Sequence, residues 1–381
     1  MVLIVAVLML GAATAQAFGR FTYALLLPAI VSDFGISFTV AGTLATSNLV
    51  AYLAGTVLVS LASTRLSVIR IVQVSLAAST AGLAALAYGT GIGWLWFGMV
   101  VTGLAGAGVW VPSPGIAAAV APADRRAFTI GFVGSGMGLG LAFVSFVAAR
   151  AASEDWRGLY RIEFAVGVIA VAAAALLMPP VNLAAARPRL RVVRTIPGWR
   201  LLLAVYVAYG LAMSLFVNFL TAMLDDRPGV ILGDAFGVFL WLALATVLGG
   251  PLFGPIADRV GREQAMMLGL AAMGVAALSV LAHNGAVVAA SAIAFGLAFS
   301  GVPTAFAALV SDHVDLQSFG AAFGVATFAF GIAQVFGPQI GGVVVDAVEG
   351  FTPVYLASAA LAASGAVIAA ALTKVSIQRS S

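Results

Sequence analysis

The chain has 381 residues, of which 62% are hydrophobic and only 8% are charged. A soluble globular domain has about 25% charged residues, so this composition excludes one and indicates a polytopic helical membrane protein. The apolar runs are long and continuous, which excludes the short alternating segments of a β-barrel. The absence of cysteine excludes a disulfide framework, and a net charge of +4 spread over short loops gives no indication of nucleic-acid binding.

Twelve apolar runs of about 20 residues follow one another along the chain, separated by charged residues, glycine and proline. They predict an all-α membrane protein with spans at 4–31, 39–62, 69–90, 94–120, 127–149, 158–178, 199–223, 235–256, 265–283, 286–310, 319–345 and 353–373. The first run lacks a charged leader and continues to Arg20, so we interpret it as a membrane span and not as a cleaved signal peptide.

The basic residues are distributed unevenly between the two sets of inter-span loops. Thirteen lie in the loops and terminal segments on one side, and four lie in the loops on the other side. The positive-inside rule makes the richer side cytoplasmic. Because the number of spans is even, both termini are expected in the cytoplasm, with the protein in the cell inner membrane.

A segment rich in proline and arginine, residues 179–198, divides the chain into two halves of six spans. Four glycines of the first half recur 193 residues later, as Gly103 and Gly296, Gly108 and Gly301, Gly131 and Gly324, and Gly138 and Gly331. One shared offset predicts a parallel repeat. We therefore expect two pseudo-symmetric six-helix bundles, residues 1–178 and 199–381, joined by a cytoplasmic linker.

The loop after the eighth span reads Gly254-Pro255-Ile256-Ala257-Asp258-Arg259-Val260-Gly261-Arg262. It resembles the loop signature G-x-x-x-D-R-x-G-R of the major facilitator superfamily, found there between spans 8 and 9. The first-half counterpart has Thr64 where the family has Asp, so that copy is degenerate. Taken alone the motif also fits a solvated turn with positive-inside charge, but twelve spans, a central linker and a repeat favour the superfamily and its major facilitator fold.

The resemblance implies a gating role for the motif residues Gly254, Asp258, Arg259, Gly261 and Arg262. A carboxylate is stabilised near the positive N-terminus of a helix by about 0.3–1 kcal/mol. In this family the helix facing Asp258 would be span 11, which is expected to start near residues 318–320. Such a contact would close the cytoplasmic side of the transporter.

Within the superfamily, Gly19-Arg20-Phe21-Thr22-Tyr23 followed by Leu26-Leu27-Pro28 resembles the first-span signature of YbfB/YjiJ-type transporters. The chain departs from two other patterns of the superfamily. Met99 stands where many proton-coupled members have an arginine in span 4, and the glycine-rich span 5 lacks the proline of drug antiporters. Both departures argue against a drug:proton antiporter.

The first span carries a charge deep in an apolar run, at a cost of about 2.5–3.5 kcal/mol on insertion scales. Gln16, Arg20 and Tyr23 have the spacing of one α-helical face. In the superfamily, spans 1, 4, 7 and 10 line the central cavity, and Arg20 is the only ionisable side chain well inside them. We expect Arg20 to bind an anionic substrate through its guanidinium. The alternatives are a structural or gating partner, or a side chain that reaches the interface.

Further polar residues are candidates for the substrate site. They share the property of lying inside predicted spans, and they are Asn48, Tyr52, Trp110, Asn218, Thr304 and Gln334. For each of them a hydrogen bond between helices is an equal alternative.

The predicted function is a secondary active transporter that moves a small organic anion by alternating access. The alternatives are an exporter of hydrophobic or drug-like compounds, or a membrane receptor that binds a ligand without moving it. The sequence has no nucleotide-binding loop and no histidine pair with zinc spacing, so we predict no enzyme, no cofactor and no metal site. The expected partners are the substrate, a coupling proton or counter-anion and the lipid bilayer, with the protein a monomer.

Overall fold

The computed structural model describes residues 2–63, 65–122, 126–151, 155–178, 190–227, 235–314 and 316–380. Within these ranges the chain is helical apart from short connections, and it forms no strand there. The predicted all-α fold is confirmed. Thr64 of the degenerate motif and residues 179–189 of the predicted linker lie outside the described residues.

The helices form twelve spans, which we number in chain order. They are Val2–Ala12, Ala13–Phe21, Thr22–Leu25 and Leu27–Phe34 in span 1, Phe38–Ala62 in span 2, Val68–Tyr88 in span 3, Ile92–Trp110 and Ser113–Val120 in span 4, Arg126–Ala151 in span 5, Trp156–Leu177 in span 6, Trp199–Asp225 in span 7, Ala235–Val260 in span 8, Arg262–Ser279 in span 9, Gly285–His313 in span 10, Leu316–Val348 in span 11 and Thr352–Ser380 in span 12. A short 3₁₀ helix, Leu190–Thr195, precedes span 7.

Eleven of the described helical segments are long and apolar enough to cross a membrane. The one remaining span of the described residues is span 9. It begins with Arg262, Glu263 and Gln264, and this polar first turn lowers its mean hydropathy. Span 9 nevertheless buries Leu270 and Met273 and packs along spans 10 and 12. The twelve-span layout therefore rests on packing as well as on hydropathy.

The chain divides into two compact units, residues 1–185 and 186–381. In the first unit, span 4 packs along spans 2 and 3, span 3 also packs along span 6, and span 1 packs along span 5. In the second unit, span 10 packs along spans 8 and 9, span 9 also packs along span 12, and span 7 packs along span 11. The second set is the first set displaced by six spans, so the two units share one packing plan.

One glycine crossing recurs in both units and explains part of the sequence repeat. A Cβ on Gly103 of span 4 would overlap the backbone carbonyl of Asn48 in span 2, and a Cβ on Gly296 of span 10 would overlap that of Leu242 in span 8. Small residues let helix backbones approach closely in a membrane. The matched glycines Gly131 and Gly324 differ, because among the described residues no atom lies within 4 Å of a Cβ placed there.

Two spans are interrupted near prolines. Span 1 changes from α-helix to π-helix over Ala13–Phe21 and breaks again at Leu26, immediately before the helix that contains Pro28. Span 4 breaks at Val111–Pro112. A proline removes a helical N–H donor and clashes with the preceding turn, which favours such breaks. The candidate site described next lies on the π-helix of span 1.

Candidate functional site

The predicted charge in span 1 lies on the π-helix Ala13–Phe21, in which eight of the nine residues are buried and Arg20 is partly exposed. The backbone N–H of Thr22 donates to the carbonyl of Ala17, which is the i→i+5 hydrogen bond of a π-helix. The α-helical spacing expected for Gln16, Arg20 and Tyr23 is therefore wrong in this segment, because the wider turn changes the direction of each side chain.

Spans 2 and 4 hold the π-helix through its Gly19 carbonyl. The Nδ2 of Asn48 in span 2 donates to this oxygen at 3.0 Å, and the hydroxyl of Thr102 in span 4 lies 3.1 Å from it. The same Nδ2 also lies 2.8 Å from the carbonyl of Met99. Asn48 is 2% exposed. Its two amide hydrogens are thus used between helices, which favours the structural alternative for this residue.

Two other candidates of the first unit come together with the arginine. The Tyr52 hydroxyl of span 2 interacts with the Arg20 guanidinium and with the Gln16 amide. The Gln16 Nε2 is buried and makes no hydrogen bond of normal geometry to the described residues. The Arg20 guanidinium carbon lies 5.2 Å from the ring centroid of Phe21. Gln16, Arg20 and Tyr52 therefore form one polar group, which we call the arginine group.

Tyr23 points away from the arginine group. It is 2% exposed, and its hydroxyl donates to the carbonyl of Ala41 at 2.9 Å. Its neighbour Thr22 contacts Glu163 of span 6, with 2.5 Å between the Thr22 Oγ1 and the Glu163 Oε1. Glu163 is fully buried. The sequence predicts only that this acid lies near the outer end of span 6. A lone carboxyl eight residues into an apolar span is the sequence signal that indicates a functional group.

The N-terminal end of span 6 holds paired charges around a cavity of about 480 Å³. Arg157 of span 6 donates to the Asp33 carboxylate of span 1 at 2.9 Å, and the Trp156 Nε1 lies 3.3 Å from the same oxygen. Trp156 is only 6% exposed. It therefore packs inside the unit and does not form the interfacial anchor that its position next to Arg157 suggests.

The second unit brings two more candidates together. The Ser214 hydroxyl of span 7 donates to the backbone carbonyl of Gln334 in span 11 at 3.1 Å, and the Asn218 Nδ2 donates to the carbonyl of Ser214 at 2.7 Å. Thr304 of span 10 donates to the carbonyl of Ser300 at 2.8 Å, one turn earlier in its own helix. Trp110 of the first unit is partly exposed, at the end of a helix.

The motif residues at the junction of spans 8 and 9 form an ion cluster with Asp312 of span 10. Arg262 donates to the Asp258 carboxylate, and its Nε donates to the Asp312 carboxylate of span 10 at 3.1 Å. Gly261 has φ +99°, which explains the glycine at this motif position. Arg259 is exposed, and a Cβ on Gly254 would meet no described atom within 4 Å.

Comparisons with known proteins agree with this architecture. The family model described as "Uncharacterised MFS-type transporter YbfB" matches residues 12–374. The solved structure of a D-xylose-proton symporter has a TM-score of 0.77 to this chain, covers 96% of both chains and is 16% identical in sequence. The chromaffin granule amine transporters of Rattus norvegicus and Homo sapiens are 31% and 30% identical over 114 residues. This match covers 29% of the chain and about a fifth of the length of these curated relatives.

The family match extends over nearly the whole sequence, from residue 12 to residue 374. The solved symporter shows the same fold over almost its full length. These matches agree with the apolar spans, the packing repeat and the motif loop. The chain therefore belongs to the YbfB-type transporters of the major facilitator superfamily, and it is a multi-pass membrane protein of a family that transports small molecules.

Proposed function

We propose that the protein is a secondary active transporter that moves a small organic anion across the cell inner membrane by alternating access. The observation that carries the proposal is Arg20, the one residue of the π-helix that is not buried, beside Gln16 and Tyr52. A planar guanidinium binds a carboxylate or phosphate through two parallel hydrogen bonds. The arginine group therefore has the chemistry of an anion-recognition site.

The backbone around Arg20 supports the same proposal. Single π-turns within helices occur frequently at functional sites. Transporters of this kind bind substrate where membrane helices are irregular, because irregular backbone is tolerated there only inside protein or beside a cavity. The bonds from Asn48 and Thr102 to the Gly19 carbonyl fix this irregular segment in place.

The distribution of basic residues supports the orientation of the transporter. Thirteen Lys and Arg residues lie in one set of loops and four in the other, which favours cytoplasmic termini under the positive-inside rule. In this orientation the ion cluster of Asp258, Arg262 and Asp312 lies on the cytoplasmic side. The two six-helix halves are residues 1–178 and 199–381, and the functional unit is the monomer.

The test is ligand-induced thermal stabilisation of the purified full-length protein across a panel of carboxylates, amino acids, sugars and hydrophobic amines. We expect at least one carboxylate to stabilise the protein and Arg20→Ala to abolish that effect. Arg20→Lys keeps the charge but loses bidentate geometry, so we expect its affinity to fall about tenfold, equivalent to about 1.4 kcal/mol. Arg161→Ala is the matched control, because Arg161 lies at the outer end of span 6 and pairs with Asp155.

Saturable counterflow of the stabilising compound in liposomes then distinguishes a carrier from a receptor that binds without transport. Full transport by Arg20→Lys would contradict bidentate recognition. Stabilisation by sugars alone would contradict an anionic substrate.

A hydrophobic amine is the second candidate substrate, handled by export. It is favoured by the 114-residue similarity to the amine transporters. Stabilisation by amines that persists in Arg20→Ala would select this candidate.

A further inference from the structure

A carboxyl group is buried between spans 1 and 6, outside the arginine group. The Glu163 side chain is fully buried, its Oε1 contacts the Thr22 hydroxyl at 2.5 Å, and its Oε2 has no hydrogen-bond partner among the described residues. The neighbouring Tyr160 hydroxyl is also buried without a described partner. Unpartnered polar atoms in an apolar interior are costly, and the cost is largest for an ionised carboxylate.

The charged and titratable groups around Glu163 do not neutralise it. Span 6 itself contributes Tyr160, which interacts electrostatically with the Glu163 carboxyl. Span 1 contributes Tyr23, which interacts with Tyr160, and Arg20, which belongs to the arginine group. Nearer the outer end of span 6, Arg157 and Arg161 pair with Asp33 and Asp155. The packed spans 3 and 5 contribute side chains at their outer ends, where Tyr88 packs on Phe164 and Arg150 lies over the ring of Phe146. Because no cation among the described residues pairs with Glu163, the carboxyl favours its neutral, protonated form in this arrangement.

Thr22 connects the protonation of Glu163 to the π-helix. Its single hydroxyl hydrogen has two acceptors within reach, the Glu163 Oε1 at 2.5 Å and the Ala17 carbonyl at 3.4 Å. When Glu163 is ionised, the hydroxyl donates to the carboxylate. When Glu163 is protonated, the acid donates its own hydrogen to the Thr22 oxygen, and the hydroxyl is released toward the Ala17 carbonyl. Ala17 lies in the same π-helix as Arg20, three residues before it.

We propose that Glu163 is a proton-binding site that couples proton movement to substrate transport, with Thr22 as the connection to the π-helix. The bound species is the proton itself, which adds to the carboxylate when spans 1 and 6 are packed and leaves when water reaches the carboxyl in another state. The coupling part of this inference rests on the proposed transport function. The proton-binding part is independent of substrate.

Infrared difference spectroscopy on the full-length protein tests proton binding without any substrate. Spectra taken in neutral and alkaline buffers, in which exposed carboxyls stay ionised, should show the C=O stretch of a protonated carboxyl that titrates in wild type and is missing in Glu163→Gln. Glu349→Gln is the matched control, because it makes the same chemical change at an exposed glutamate and should keep the band. A titrating band of equal size in Glu163→Gln, or no titrating band in wild type, would overturn the proposal.

Liposomes containing the pH-sensitive dye pyranine test the coupling. We expect carboxylates of the panel that support counterflow to acidify the wild-type liposomes. In Glu163→Gln we expect proton entry to fall to the level of empty liposomes while counterflow falls less. Thr22→Val keeps the carboxyl band but should weaken proton entry. Counterflow without proton entry in wild type would overturn the coupling and leave the transport function standing. Absence of counterflow for every compound would overturn the transport function, and the infrared result would still decide proton binding.

Discussion

Asn48 is a polar residue that the sequence predicts as a ligand contact and that the fold uses to join helices. Its amide reaches the Gly19 and Met99 carbonyls and the Thr102 hydroxyl, so it joins spans 1, 2 and 4 at one point. Asn218 is different, because its described hydrogen bonds stay within span 7, to the carbonyl and hydroxyl of Ser214. The two asparagines look alike in sequence, and their contacts separate them.

We predict that Asn48→Ala lowers the free energy of unfolding by about 1–2 kcal/mol, because it removes hydrogen bonds between helices in a membrane. Asn218→Ala should change it by less, since its bonds lie within one helix. Denaturant unfolding of the purified variants in detergent measures both. Equal losses in the two variants would contradict the structural role of Asn48. A loss of ligand affinity at unchanged stability would make it a binding residue after all.

Single residues also show where the sequence stops being informative. Arg20 is recognisable because a charge in an apolar span is costly. The directions of the side chains around Arg20 are not recognisable from the sequence. They depend on the π-helix, whose donors from Asn48 and Thr102 approach only in the packed unit. Likewise, counting from Trp156 puts Glu163 near the outer end of span 6, whereas its full burial depends on span 1 packing against it.

At the scale of helices, the glycines of the 193-residue repeat have two different roles. Gly103 and Gly296 each allow a close crossing of two helix backbones. Their shared offset predicts a repeat, and the same crossing occurs in both units. Gly131 and Gly324 recur at the same offset, yet a side chain at either would meet no described atom within 4 Å. Close packing between helices therefore explains the first pair and not the second, and a sequence match alone does not distinguish them.

We predict that Gly103→Ala destabilises the protein by about 1–3 kcal/mol, since the added methyl overlaps a backbone carbonyl that has no room to move. Gly131→Ala is the matched control and should leave the free energy of unfolding unchanged or slightly increased. Thermal unfolding followed by size-exclusion chromatography compares the two variants at equal protein concentration. Equal melting temperatures would show that spans 2 and 4 separate without cost at this crossing.

At the scale of the whole chain, charge is confined to a few places. In the described part of the second half the charged residues lie near the ends of spans. The cluster of Asp258, Arg262 and Asp312 ties the ends of spans 8, 9 and 10 together. The sequence motif predicts a gate in which Asp258 faces the start of span 11. The described contact of Asp258 is with Arg262 four residues later, so the helix-end contact stays a prediction.

We predict that Asp258→Asn shifts the transporter toward the state open to the cytoplasm and slows transport. Its effect on unfolding should stay below about 1 kcal/mol, because exposed ion pairs contribute little to stability. The chain contains no cysteine, so single introduced cysteines on each face report accessibility without background. Asp155→Asn, which breaks an exposed pair with Arg161, is the control. Unchanged labelling of both faces in Asp258→Asn would refute the gating role.

The shared packing plan of the two units also has an evolutionary consequence. Repeated crossings at a 193-residue offset are what a duplicated six-helix ancestor would leave behind, and they preserve the scaffold in both copies. The ionisable residues did not stay duplicated: Arg20 and Glu163 lie inside spans of the first copy, and span 12, the counterpart of span 6, has no acidic residue. The repeat therefore preserves the helix scaffold, whereas the charges inside the spans, Arg20 and Glu163, belong to the first unit.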